Sequence, residues 1–282
     1  MDDLFAVEEG RLGAMNVLYK YVTHQRAEAC IPEMGDGALR ATQPAALNDP
    51  FECAVVPMYV ISDEKDENRQ LAQTLTLING SKRVTPDDVD RARREYGSLF
   101  TRQLFAEQVS TRFGIVSFSA DPFHQLLWSH YAKDGSGFAI GYDAHELQEI
   151  SRADDALRAV DYRARPPQLI DPIVLARPVS ILPIILSQKS DRWSYENEWR
   201  LIVELDTTVG TGLRDPHGLP INLVRIPNKA VVSVHYTERT PRESVELIRR
   251  RLADENNRYR AGKPRKLVLS ATTYGYTEAC ED

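Results

Sequence analysis

The sequence WSYENEWRLIV occupies residues 193–203 and joins a strand pattern to an unusual pair of acids. Its end, Leu201-Ile202-Val203, is an apolar run typical of a buried β-strand. Glu196 and Glu198 lie two positions apart, and residues at that spacing in an extended chain point to the same face. We therefore predict a strand that carries two carboxylates on one face, between two tryptophans.

Two carboxylates on one face repel each other if both are buried and ionised. One pKa could be raised, or a cation could lie between the two groups. Lys189, Arg192 and Arg200 are close enough in sequence to supply that cation, as part of a structural salt bridge. Alternatively, one glutamate does chemical work: it holds a ribose hydroxyl, stabilises an oxocarbenium-like cation or acts as a base. The stretch alone leaves both interpretations open.

The composition is that of an ordinary soluble globular protein. Of 282 residues, 42% are hydrophobic and 27% are charged, and the net charge is −6, which argues against broad nucleic-acid binding. Three cysteines without CxxC spacing favour a reducing compartment. The N-terminus lacks the layout of a signal peptide, and the longest apolar run, at 179–187, is too short to span a bilayer. We therefore expect a cytoplasmic protein without membrane association.

Strand and helix patterns alternate irregularly along the chain. Strands are predicted at 16–22, 38–42, 114–120, 137–143, 157–164, 198–205, 221–227, 229–237 and 266–273. Residues 63–112 are the most helical region, and shorter helices are predicted at 122–132 and 240–256. This order predicts one α+β domain over residues 1–282, with a mixed, largely antiparallel sheet and a helical insertion at about 63–112.

Two further stretches are candidates for a site. LNDPFE at 47–52 forms a rigid turn, because Asn and Asp side chains bond nearby backbone N–H groups. Asn48, Asp49 and Glu52 could line a site on that loop, or the turn could be purely structural. In SFS at 117–119, the two serines share a strand face and either bond a neighbouring loop or brace a catalytic group.

WSHYA at 128–132 ends a short helix. Trp128 and Tyr131 are three apart and share a helix face, and His130 is of the residue type that most often acts as a general acid or base. These residues form either the wall of a pocket or a set of core aromatics with a structural histidine.

Several classes of protein are not expected. GxGxxG and GxxxxGK[ST] are absent, which argues against the common nucleotide-binding folds. The chain has neither GxSxG nor HExxH, so a serine hydrolase and a zinc site are not predicted, and no metal ligands are assigned. A magnesium-dependent nuclease could use Asp49, Glu52, Glu196 and Glu198, although nothing in their spacing selects that option.

A set of blocks in the sequence resembles a known bacterial family. The blocks are LYKY, LNDPFE, FS followed by LWSHYA, GFAIGYD and K…W.YE.EWRL, from about Leu18 to Leu201. Together they resemble domain of unknown function 2971, a family without an assigned activity.

The order of the sequence motifs along the chain also resembles, more distantly, that of ADP-ribosyltransferases of the arginine–serine–glutamate type. Those enzymes bind NAD in a cleft of a split mixed sheet. Their motifs are a basic residue on the first strand, Ser-x-Ser on a middle strand and Glu-x-Glu before a later strand. The matching residues here are Lys20, Ser117-Phe118-Ser119 and Glu196-Asn197-Glu198. Lysine replaces the arginine or histidine of the family on the first strand.

The resemblance implies roles for individual residues. Glu198 would hold the nicotinamide ribose and favour the oxocarbenium ion, Glu196 would activate the acceptor, and Ser119 would orient Glu198. The implied catalytic residues are Glu198, Glu196, Ser119 and His130. The implied NAD-binding residues are Tyr19, Lys20, Tyr21, Asn48, Asp49, Trp128, Tyr131 and Arg200, with Trp128 or Tyr131 stacking on nicotinamide.

The expected function is therefore that of an enzyme that uses NAD as substrate, either an ADP-ribosyltransferase or an NAD glycohydrolase. Many similar bacterial proteins resemble toxins or phage-defence effectors. The acceptor, protein or nucleic acid, and a possible partner protein stay open. The alternatives are a metal-dependent nuclease and a non-catalytic sensor or interaction module, in which Trp, Glu and Arg form a packed polar network.

Overall fold

The structure is a computed structural model that describes most of the chain. The described residues are 16–53, 56–57, 68–69, 72, 75–76, 84–96, 109–151, 156–165, 168–169 and 178–280. The helical insertion predicted at about 63–112 lies mostly outside these ranges. Within it, the structure describes one helix of several turns, Pro86–Tyr96, which Thr85 caps by accepting a hydrogen bond from Asp88 N.

The strands in chain order are β1 (Val17–Val22), β2 (Gly37–Ala41), β3 (Val56–Pro57), β4 (Phe113–Ser119), β5 (Phe138–Asp143), β6 (Leu157–Ala159), β7 (Asp161–Arg163), β8 (Gln168–Leu169), β9 (Gln188–Ser190), β10 (Glu198–Glu204), β11 (Val209–Arg214), β12 (Pro220–Ile226), β13 (Val231–Thr237), β14 (Arg265–Leu269) and β15 (Tyr276–Glu278). The helices are α1 (His24–Cys30), α2 (Pro86–Tyr96), α3 (Gln125–Tyr131), α4 (Ala144–Gln148), α5 (Pro178–Leu186) and α6 (Arg242–Ala253).

The centre of the fold is an eight-stranded sheet in the order β15-β14-β13-β5-β1-β4-β10-β6. Its neighbouring strands are antiparallel except for the parallel pair β13 and β14. A second sheet has the order β11-β12-β2, and the pairs β3-β8 and β7-β9 are parallel. The α+β class and the largely antiparallel sheet predicted from the sequence are confirmed.

The central strands of the sheet are covered on both faces. β10 is buried at every position from Glu198 to Val203. Leu201 and Val203 pack in the main core, whereas Ile202 points to the opposite side and packs with Ile115 and Leu186. Because both faces are covered, the strand does not show the alternation of a half-exposed strand.

Most predicted elements lie where the sequence places them, but two differ. The strand predicted at 157–164 is divided at Val160, since Asp161 N donates to the Ser187 carbonyl and the chain leaves the main sheet to pair with β9. The strand predicted at 198–205 does begin at Glu198, but residues 191–196 before it form a 3₁₀ helix and not an extended chain, so the strand carries only one of the two glutamates.

The helices in the described part of the chain are all too short or too polar to cross a lipid bilayer. The prediction of a single domain over residues 1–282 stays a prediction.

Candidate functional site

A cavity of about 250 Å³ opens beside the adjacent strands β1, β4 and β10. Ser119 of β4 pairs with Tyr19 of β1 on one side and with Glu198 of β10 on the other. The pairing therefore brings the motifs of three strands to one place. The cavity is lined by Tyr19, Lys20, Tyr21, Thr42, Ala46, Leu47, Asn48, Glu52, Ser117, Phe118, Ser119, Leu127, Tyr131, Lys189, Glu196 and Glu198.

A left-handed residue brings the two acids together. Asn197 ends the 3₁₀ helix with φ 43° and ψ 49°, a conformation that asparagine tolerates better than most residues. Glu196 lies on the helix side of this turn and Glu198 on the strand side. The prediction that they share one face of a strand is wrong. They meet through the turn, and both carboxylates are buried.

Lys189 is the cation between the carboxylates. Its Nζ lies 2.5 Å from Glu196 Oε2, 3.0 Å from Glu198 Oε2 and 3.2 Å from Glu52 Oε1. β9 holds this side chain in place by pairing with β7. The sequence indicated Lys189 only as a possible salt-bridge partner and did not predict its contact with three acids.

Arg200 supplies a second cation behind the cavity wall. It is fully buried, and its guanidinium donates to Glu198 Oε1 at 2.8 Å, to the Leu186 carbonyl at 2.7 Å and to Glu52 Oε2. The structural salt bridge considered for the sequence is therefore present. Three carboxylates share two cations, so this ionic network carries one negative charge in excess when every member is ionised.

The pKa values of Glu198 and Glu52 shift in opposite directions within this network. Burial alone would raise the pKa of Glu198, but Arg200 and Lys189 outweigh it and lower the pKa to about 2. For Glu52, burial outweighs the same two cations and raises the pKa of the carboxyl. Glu198 is therefore an ionised carboxylate near neutral pH, and it lies on the cavity wall.

Lys20 lies on the wall formed by β1 and β4. Its Nζ donates to the Ser117 carbonyl at 2.6 Å and lies 5.9 Å from the centre of the Phe118 ring. Burial lowers the pKa of Lys20 to about 8, although the Glu198 charge opposes the shift. Among the described residues, the structure records no ion pair for this ammonium, which is thus available to an anionic group.

A chain of hydrogen bonds joins residues of three motifs on another part of the cavity wall. Tyr131 donates its hydroxyl hydrogen to Glu196 Oε1 at 2.7 Å and accepts a hydrogen bond from Asn48 Nδ2 at 3.3 Å. Burial first, and then the charge of Glu196, raise the pKa of Tyr131. The loop at 47–52, the helix α3 and the turn at Asn197 thus meet at this wall.

Ser117, and not Ser119, makes the contact with Glu198 that the resemblance assigns to Ser119. Ser119 donates to the backbone carbonyl of Glu196 at 2.7 Å and accepts from Asp121 N, so it fixes the turn rather than the Glu198 carboxylate. Ser117 is the serine that bonds the Glu198 side chain and helps to lower its pKa. The sequence could not distinguish them, since both lie on the same strand face.

Four of the predicted site residues are absent from the cavity lining. Trp128 is fully buried, with Nε1 bonded to the Pro122 carbonyl. His130 is exposed at the helix end. Asp49 is buried and accepts a hydrogen bond from Phe51 N, which fixes the turn. Arg200 reaches the cavity only through Glu198.

The described residues include no group of three His, Cys, Asp or Glu side chains placed to hold a metal ion. Glu52, Glu196 and Glu198 instead surround the ammonium of Lys189.

Comparison with known proteins supports one of the two resemblances. The profile of a family described as a protein of unknown function, DUF2971, matches residues 127–201. This range runs from α3 into β10 and includes Tyr131, Lys189, Glu196 and Glu198. No curated protein and no solved structure gives a significant match.

Proposed function

We propose that this protein cleaves the bond between nicotinamide and ribose in NAD. The observation that carries the proposal is Glu198, an ionised carboxylate fixed by Arg200 and Lys189 on the wall of the cavity. Breaking that bond builds positive charge on the sugar. A preorganised negative group in a water-poor site stabilises such charge more effectively than water does.

The charge and size of the site suit one half of the dinucleotide. Glu198 stays ionised on the cavity wall, which favours the cationic nicotinamide ring and the cationic sugar. The cavity of about 250 Å³ lies just below the roughly 300–1,000 Å³ typical of sites for whole small molecules. We propose that the nicotinamide riboside half enters, and that Lys20 meets a phosphate near the entrance.

The order of the strands agrees with this function. Lys20, the serine pair and the glutamate pair lie on or directly before β1, β4 and β10, which are consecutive neighbours in the sheet. The same order of a basic residue, Ser-x-Ser and Glu-x-Glu characterises the NAD-using enzymes that the sequence resembles.

We extend the proposal to the cell by analogy with the toxins and phage-defence effectors that share this order of motifs. NAD is available in the cytoplasm, so the proposal includes a cytoplasmic location. Expression of the wild-type protein should deplete cellular NAD and slow growth, and Glu198→Gln should relieve both effects.

A second candidate is a non-catalytic module in which the ionic network only fixes the fold. Arg200 is fully buried and forms ion pairs with both Glu52 and Glu198, which favours this alternative. The nuclease alternative is disfavoured, because a divalent ion would have to displace Lys189 from all three glutamates.

The direct test is nicotinamide release from NAD, followed by chromatography. The wild-type protein should release nicotinamide, and Glu198→Gln should lower the rate on the order of 10²–10³-fold. Glu204→Gln is the matched control, since Glu204 lies at the exposed end of the same strand. A folded wild-type protein that neither binds nor consumes NAD would contradict the proposal and favour the non-catalytic module.

A further inference from the structure

We infer that the acceptor in this reaction is water, so that the protein hydrolyses NAD instead of transferring ADP-ribose to a macromolecule. This inference rests on the proposed function and concerns only its second substrate. It follows from how Glu196, the residue expected to activate the acceptor, is enclosed.

Glu196 is out of reach of a large acceptor. The residue is 3% exposed, and each of its carboxylate oxygens already has a partner: Tyr131 on Oε1 and Lys189 on Oε2. Asn48 bonds the Tyr131 hydroxyl from the cavity side of the loop at 47–52. A protein side chain or a nucleobase would have to break these contacts before its nucleophile met Glu196.

A water molecule meets no such obstacle. Each carboxylate oxygen has about two lone-pair sites, so Glu196 can accept a further hydrogen bond beside Tyr131 or Lys189. Water needs only about 30 Å³. A nicotinamide riboside beside Glu198 would occupy much of the cavity of about 250 Å³, so the space left next to Glu196 suits a small acceptor.

The reaction balances with water alone. The C–N bond between the ribose and nicotinamide breaks, and its electron pair stays on the ring nitrogen. The water oxygen bonds the same sugar carbon, and its proton passes to Glu196 and then to solvent. The products are nicotinamide, ADP-ribose and one proton. Glu196 has only to orient the water and accept its proton, because the oxocarbenium-like sugar is itself strongly electrophilic.

The test uses NAD radiolabelled in the adenylate phosphate, incubated with the wild-type protein in a cell lysate. We expect free ADP-ribose equal to the nicotinamide released, and no label on protein or nucleic acid. Nicotinamide release with the label on a macromolecule would overturn this inference and leave the proposed function standing. Absence of nicotinamide release would instead overturn the proposed function, and the inference with it.

A second experiment tests the size of the acceptor site with purified protein. Methanol should compete with water and give methyl ADP-ribose, whereas agmatine, a guanidinium compound, should give no adduct. An agmatine adduct that exceeds hydrolysis would overturn the inference.

Tyr131→Phe tests whether the Tyr131 hydroxyl limits the size of the acceptor. The hydrogen bond to a charged group is lost, so kcat should fall on the order of 10–100-fold while KM stays within about twofold. The ratio of methanolysis to hydrolysis should rise, because the hydroxyl no longer narrows the acceptor site. A purely structural role would leave this ratio unchanged. Tyr274→Phe, at an exposed tyrosine, is the matched control.

Discussion

Lys189 and Glu196 form an ion pair with 2.5 Å between Nζ and Oε2, and both side chains are almost completely buried. The same ammonium reaches Glu198 at 3.0 Å. A structural salt bridge and a chemical role are therefore compatible at this site. Because Arg200 and Lys189 outweigh the effect of burial, Glu198 stays ionised and attracts positive charge into the cavity.

Glu198→Gln should change both stability and activity. The substitution leaves Arg200 and Lys189 with fewer anionic partners, and removing one member of a buried pair costs about 3–5 kcal/mol. Because Glu52 and Glu196 remain, we expect a loss near the lower end of that range, measured by urea unfolding. Nicotinamide release should be compared at temperatures where both proteins are folded. Equal activity of the folded mutant and wild type would exclude a catalytic Glu198.

Arg200→Met should be among the most destabilising changes in the chain. It removes the partner of two buried carboxylates and of the Leu186 carbonyl. We expect a loss of about 3–5 kcal/mol in the free energy of unfolding. Arg225→Met, at an exposed position on β12, should stay within about 0.5 kcal/mol of wild type. A similar small effect at both arginines would show that the network contributes little.

Lys20 should make stability depend on pH in the alkaline range. Its pKa of about 8 in the folded protein lies below its ordinary value of 10.5. Between these values the unfolded state binds more protons than the folded state, so stability rises with pH. The stability of wild type relative to Lys20→Met should therefore increase from pH 8 to pH 10.

Urea midpoints across that range measure the effect, with Lys266→Met, at an exposed position on β14, as the control. A flat difference between wild type and Lys20→Met would contradict the lowered pKa. Binding of NAD should weaken over the same range, because the ammonium that meets the phosphate loses its proton.

Asn197→Ala should strain the turn that joins the two glutamates. A side chain in the left-handed region costs roughly 1–2 kcal/mol unless it is glycine or a tolerant residue such as asparagine. We expect Asn197→Ala to be destabilised by up to that amount and Asn197→Gly to remain close to wild type. Ser194→Ala, at an exposed position in the same 3₁₀ helix, is the control. If alanine and glycine behave alike, the backbone conformation does not matter.

Local patterns in the sequence predict much of the fold. β1, β4, β5 and β13 lie where apolar and β-branched residues are concentrated. These features depend on short-range preferences or on strands long enough to be recognised. The convergence of Asn48 and Tyr131 with Glu196 joins residues 83 and 65 positions apart, and it is expected only from the resemblance, which assigns all three residues to one site.

The rest depends on tertiary contacts that no local pattern records. β9 has three residues and forms through parallel pairing with β7, so Lys189 could not be placed in the centre of the network. Trp128 turns inward because its ring packs edge to face on Tyr21 and its Nε1 bonds the Pro122 carbonyl. His130, two positions later on a short helix, consequently points outward.

The contact between Glu52 and Arg200 joins residues that are 148 positions apart. During synthesis, Glu52 therefore leaves the ribosome well before Lys189 and Arg200, the two cations that neutralise it, exist in the chain. Any shorter nascent chain would have to keep Glu52 hydrated. The part of the cavity wall that Glu52 forms consequently cannot be completed before residue 200 has been made.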